Sequence, residues 1–116
     1  VEVYKELENK IKSNKTCQGI TATAGGVYGP QGRILRIQTK QKNLNDSLRD
    51  FEFNGLKITN FEMETSALYA LGGMLGHKTA TICAIIANRE TKRYSENYKL
   101  TVDKMIVYVL DRLVKI

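Results

Sequence analysis

The residues Phe61-Glu62-Met63-Glu64-Thr65-Ser66-Ala67 set two carboxylates around a thioether. A carboxylate accepts hydrogen bonds from hydroxyl groups, and methionine offers a soft, adaptable apolar surface. Side by side they suit a sugar, with oxygens for its hydroxyls and sulfur against its ring. A structural reading competes. Thr59 and Glu62 have capping-box spacing, and Glu64 suits the positive end of a helix dipole as a solvated acid. The segment alone leaves both readings open.

Two more segments carry useful chemistry. Gln31 brings a donor and an acceptor on one amide, and Arg33 adds a planar donor fork. Two residues apart in an extended loop, they can point to the same side and suit a flat heterocycle with adjacent carbonyl and N–H groups, such as uracil. Pro30 and the glycines around it fix the loop and permit close backbone approach. The alternative is a surface turn with a solvated arginine. A phosphate loop is disfavoured, because no Gly-Lys-Ser/Thr ending follows. Arg89 either reaches the same base edge or pairs with Glu90 or Glu96. Val27 and Tyr28 offer an apolar face for a base or simply pack the loop. Ile86 and Ala87 wall a base or fill a core. His77, the sole histidine, lies apart in the turn after Gly76, and no nucleophile–base pair is visible.

These residues need elements to hold them. Val1, Tyr4, Leu7 and Ile11 recur at helical spacing and predict an amphipathic helix ending near Asn14. Thr16–Thr23 reads as a strand, Ala24–Gly32 as a loop, and Ile34, Arg36 and Gln38 as a resumed extended run. Leu44 and Leu48 mark a short helix over Gln41–Asp50. Phe51–Phe61 is extended, broken by the turn signal Asn54-Gly55. A helix over Glu62–Leu75 stops at Gly76. Thr79–Ala87 is apolar on both faces, as in a buried strand of a parallel or mixed sheet. A polar loop over Asn88–Tyr98 precedes a C-terminal helix striped by Val102, Met105, Ile106, Val109 and Leu113. Leu56–Ala87 then forms a strand–helix–strand crossover, which predicts an α/β fold. In open α/β sheets ligands sit beyond the carboxyl ends of strands, so parallel strands would bring the three segments to one edge.

At 116 residues the chain is sized for one domain. No apolar run is long enough to span a bilayer, and Val1–Lys12 lacks a signal-peptide pattern. The chain does not begin with methionine, which implies a longer parent. Cys17 and Cys83 sit in apolar, strand-like contexts without metal-ligand spacing, and read as reduced core thiols of a cytoplasmic protein. The net charge of +6 invites a nucleic-acid reading, but the lysines are scattered and no aromatic platform accompanies them. A solvated surface explains them better.

Gly19-Ile20-Thr21-Ala22, Tyr28-Gly29-Pro30-Gln31-Gly32-Arg33, Asn60-Phe61-Glu62-Met63-Glu64-Thr65-Ser66-Ala67 and Ile86-Ala87-Asn88-Arg89 together resemble the uridine phosphorylases of the nucleoside phosphorylase and nucleosidase superfamily. The resemblance covers the chain but only the C-terminal half of a typical member. It implies a single partial domain over residues 1–116, belonging to a three-layer α/β/α fold with a mixed central sheet. It also implies roles. Gln31 and Arg33 match the pair that holds the uracil edge, and Arg89 matches an arginine near a uracil carbonyl. Met63 and Glu64 match ribose contacts, with Glu62 supporting them. Val27 stands where the family has a phenylalanine, and Ala87 where it has a larger valine; Ile86 matches another apolar base-pocket position. The aspartate that protonates purine leaving groups is replaced by Ala87-Asn88-Arg89-Glu90, as fits a pyrimidine.

The reaction so implied is phosphorolysis of uridine to uracil and ribose 1-phosphate, with phosphate as co-substrate, no cofactor and no metal. Arg33 and Arg89 would be the catalytic groups. The family's phosphate site lies in its other half, so the chain alone is expected to be inactive. Its open sheet edges imply association with that half or with further copies. A non-catalytic nucleoside-binding remnant is the competing expectation.

Overall fold

The computed structural model describes residues 2–115. Val1, expected in the first amphipathic stripe, lies outside the described residues. Helix α1 runs Lys5–Ile11, shorter than expected because Lys12 turns extended. Strand β1 spans Ile20–Thr23, a 3-10 turn spans Gly29–Gln31, and helix α2 spans Leu44–Asp50. Strands β2 (Glu52–Phe53) and β3 (Leu56–Glu62) precede helix α3 (Thr65–Met74). The short strands β4 (Ala87–Asn88) and β5 (Arg93–Tyr94) lead into helix α4 (Tyr98–Val114).

The α/β character follows from one ladder. β1 runs parallel to β3, pairing Thr21 with Asn60, Ala22 with Phe61 and Thr23 with Glu62. β2 adds to the start of β3 in the antiparallel sense, so the three-stranded sheet is mixed in the order β1-β3-β2. The hairpin turn is Asn54-Gly55, with φ of 51° and 74°. Both central residues are left-handed, as a two-residue hairpin favours, and Asn-Gly is the pair that tolerates it best. α1 and α4 pack together near Tyr108, whose hydroxyl reaches the Ile11 carbonyl (2.5 Å) and the Ser13 hydroxyl (2.7 Å). Asn97 caps α4 by accepting from the Leu100 N–H at 3.3 Å.

Three expectations need correction. Thr79–Ala87 is not a buried ladder strand: it is extended and half-buried over residues 79–84, exposed from Ile85 onward. Its backbone is tied near its two ends, where the Thr79 carbonyl accepts from Tyr4 and the Ile86 carbonyl from Ser95. A strand needs a neighbour for its ladder, and this segment instead follows α3 and β3 through side chains such as Thr81, whose hydroxyl lies 3.3 Å from that of Thr65. Ile34–Gln38 forms bends rather than a strand, for the same want of a pairing edge. Cys17 is exposed and Cys83 half-buried, so they are not a pair of core thiols.

The core is correspondingly thin. Ala24 is the one buried hydrophobic side chain among those described, while Leu68, Leu71, Met74 and Leu75 at α3 are 58–82% exposed. The stripe that should face a second layer faces outward. The radius of gyration is 15.7 Å, against about 13 Å for a compact domain of this length.

The β1–β3 contact is the tightest feature. A Cβ on Gly19 would collide with Thr59 Cγ2 and Oγ1 and lie 2.8 Å from Thr59 Cβ. Gly19→Ala should therefore force the strands apart and destabilise the chain by about 1–3 kcal/mol, as overpacking does. Thermal denaturation would read this as a lowered midpoint, and Thr59→Ala in the same chain should recover most of it. An unchanged midpoint would mean that the strands do not approach so closely.

Candidate active site

Because β1 and β3 are parallel, their carboxyl ends, Thr23 and Glu62, lie side by side. The chain leaves β1 into the glycine-rich loop and leaves β3 into α3. Tyr28 organises the loop: its carbonyl accepts from the N–H groups of Gln31 (3.2 Å) and Arg33 (3.0 Å). Arg33 closes it further by donating from Nη1 to the Val27 carbonyl at 2.6 Å. Gln31 is buried to 8% exposure, whereas Val27 and Tyr28 are exposed. The loop thus folds the amide inward and leaves its apolar residues on the rim.

Glu62 closes β3 and is not the first residue of a helix. Its Oε2 accepts from the N–H groups of Glu64 and Thr65, both at 2.7 Å. Its Oε1 accepts from the Thr23 hydroxyl at 2.5 Å. Thr23 in turn accepts from the Ser66 N–H at 3.0 Å. Glu62 does satisfy orphan donors at a helix start, but not through a capping box with Thr59, which lies within β3. Burial pushes the Glu62 carboxyl up, yet the hydrogen bonds from Thr23, Glu64 and Thr65 outweigh it and hold the group below its ordinary range. Glu64 takes the N-cap position without a side-chain cap bond. Its carboxylate and the neighbouring Met63 are exposed and turned to solvent.

The third segment arrives at the same edge. The Arg89 guanidinium lies over the Phe61 ring, 4.9 Å from its centroid, a cation–π contact. Burial, then the positive charge of Arg33, depress the Arg89 pKa. Arg33 and Arg89 therefore share one neighbourhood, and among the described residues neither forms an ion pair. Ile86 and Ala87, just before Arg89, are exposed. The structure seats Arg89 on Phe61, just before the Glu62-Met63-Glu64 turn, and within electrostatic reach of Arg33, while Gln31 is buried in the glycine-rich loop. It does not enclose Val27, Ile86, Ala87 or Met63 as pocket walls. No three His, Cys, Asp or Glu side chains gather closely enough to hold a metal among the described residues.

The profile of the phosphorylase superfamily matches residues 2–113. The chain belongs to the phosphorylase superfamily. A uridine phosphorylase from Thermococcus kodakarensis is 36% identical over 81 residues, covering 67% of this chain and 27% of that relative. The chain thus spans about a quarter of the length of the relative it matches. No solved structure matches it. None of the described helices is long and apolar enough to cross a membrane.

Within this superfamily member, three residues that spacing did not single out as site residues emerge from the geometry. Thr23 holds Glu62, Phe61 carries Arg89, and Arg49 binds the acid next to Arg89. Thr23 faces Glu62 at the carboxyl end of the parallel ladder, and Phe61 is the residue before Glu62, a signal present in the sequence once the register is known. Arg49 lies on α2, far away along the chain, and left no signal.

Proposed function

We propose that this chain forms the base-binding side and part of the ribose-binding side of a uridine phosphorylase. The observation that carries this is the placement of Arg89 over Phe61 next to the Glu62-Met63-Glu64 turn, within electrostatic reach of Arg33, with neither guanidinium in an ion pair among the described residues. Such an arrangement suits an electron-rich, planar ligand edge. The carbonyl oxygens of uracil supply one, and the amide of Gln31 can read the adjacent N–H.

In the reaction so proposed, phosphate attacks the anomeric carbon of uridine as the bond to the base nitrogen breaks. The bonding pair leaves with uracil, and its charge spreads onto the carbonyl oxygens. Gln31, Arg33 and Arg89 stabilise that charge as it develops. Glu64, whose carboxylate is free, binds ribose hydroxyls; Met63 packs the sugar, and Glu62 holds the turn. Val27, Ile86 and Ala87 would line the base once covered. No cofactor is required. The three-layer α/β/α arrangement and the phosphate site belong to the remainder of the domain, whose association with this chain, or with further copies, would cover the outward apolar face of α3. A cytoplasmic place in pyrimidine salvage fits this chemistry.

Calorimetry and phosphate-dependent uracil release test the reading. The chain should bind uridine and release no uracil alone, and release it once the remaining part of the superfamily domain is restored. Binding without turnover in any complemented form would leave a nucleoside-binding remnant instead. Robust turnover by the isolated chain would overturn the placement of the phosphate site elsewhere.

A further inference from the structure

Glu90 follows Arg89 directly and is the acid closest in sequence to the two arginines. It does not neutralise them. Its Oε1 instead accepts from Arg49 on α2, at 2.9 Å from Nε and 2.6 Å from Nη2. Arg49 is itself steadied by Asp46, at 2.9 Å. The Glu90 backbone is fixed as well, because Asn88 Oδ1 accepts from the N–H groups of Glu90 and Thr91, both at 3.1 Å. Arg49, Arg89 and Glu90 all line one cavity of about 360 Å³, bounded also by Gly32 and Asn45. A Glu90 carboxylate released from Arg49 would therefore border the same cavity as Arg89.

We infer that Arg49 is a positioning residue that sequesters Glu90, and so keeps Arg33 and Arg89 unpaired for the base. The inference rests on the uracil-site reading above. Its energetic basis is not the strength of an exposed ion pair, which is small. It is the choice of partner: a carboxylate released beside two guanidiniums would compete with the ligand's carbonyl oxygens for the same donors. Arg49 acts on the site only through Glu90.

Calorimetric titration of the full chain with uracil distinguishes this from a simple staple between α2 and the Arg89 loop. Arg49→Met should weaken uracil binding about five- to ten-fold, as a surplus carboxylate at the site would. Glu90→Gln alone should bind uracil as well as the unsubstituted chain or better, and the double variant Arg49→Met/Glu90→Gln should return to within about two-fold of it. Circular dichroism should show all three folded, since both side chains are exposed. If the pair is a staple, Glu90→Gln alone weakens binding and the double variant gains nothing; either result overturns the inference while leaving the uracil site standing. Absence of uracil binding by the unsubstituted chain overturns the site reading, and the inference with it.

Discussion

Arg33→Ala should weaken the binding of uridine and of free uracil about 100-fold, equivalent to about 2.7 kcal/mol. Two losses combine. The planar fork that would donate to the base is removed, and a hydrogen bond from a charged group is worth about 1.5–3 kcal/mol. The clamp from Arg33 to the Val27 carbonyl is also removed, so the loop holding buried Gln31 loosens. Arg33→Lys keeps the charge and loses the fork, and should fall between, at about ten-fold. Uracil and uridine should be affected alike, because the proposed site sets Arg33 against the base and not the sugar. Binding by Arg33→Ala within three-fold of the unsubstituted chain would remove Arg33 from the site.

The parts of this arrangement that could be read from residues alone are those set by local rules. Asn54-Gly55 specifies its hairpin because only a few residue pairs accept two left-handed positions. The helical stripe of α4 predicts that helix and its place near the end of the chain. The Gln31/Arg33 spacing assumes an extended loop, whereas the chain makes a 3-10 turn at Gly29–Gln31 that buries Gln31 and returns Arg33 to the Val27 carbonyl. Long-range pairing is what spacing does not show. Thr79–Ala87 has the composition of a buried strand, yet a strand is defined by its neighbour, and the described residues supply none along most of its length. The acids and the following apolar stripe predict a helix start at Glu62; the pairing of Thr23 with Glu62 extends β3 to that residue instead. The apolar stripe of α3 is a signal of burial that the described residues do not satisfy, since Leu68, Leu71, Met74 and Leu75 stay exposed.

That distinction between the two acids leads to the second large effect. Glu62→Ala should lower stability by about 2–4 kcal/mol, because it strips acceptors from two backbone N–H groups and from Thr23 at the junction of β1, β3 and α3. Glu62→Gln keeps an acceptor and should cost less, about 1–2 kcal/mol. The pH dependence has a definite sign. The Glu62 carboxyl lies lower in the folded chain than in the unfolded one, despite the opposing effect of burial, because three donors bind its charged form. Its stabilisation is therefore complete above the unfolded carboxylate value, about 4.3, and is lost as pH falls through the lower folded value. Urea denaturation between pH 7 and pH 3 should show a loss of stability on acidification that is smaller in Glu62→Ala. Parallel profiles for the two chains would mean that Glu62 is not held by these donors. Glu64→Ala provides the contrast: its carboxylate is exposed and makes no cap bond, so stability should change by no more than about 0.5 kcal/mol. If Glu64 instead holds ribose, its removal should weaken uridine while sparing uracil, which separates the acid that builds the turn from the acid that uses it.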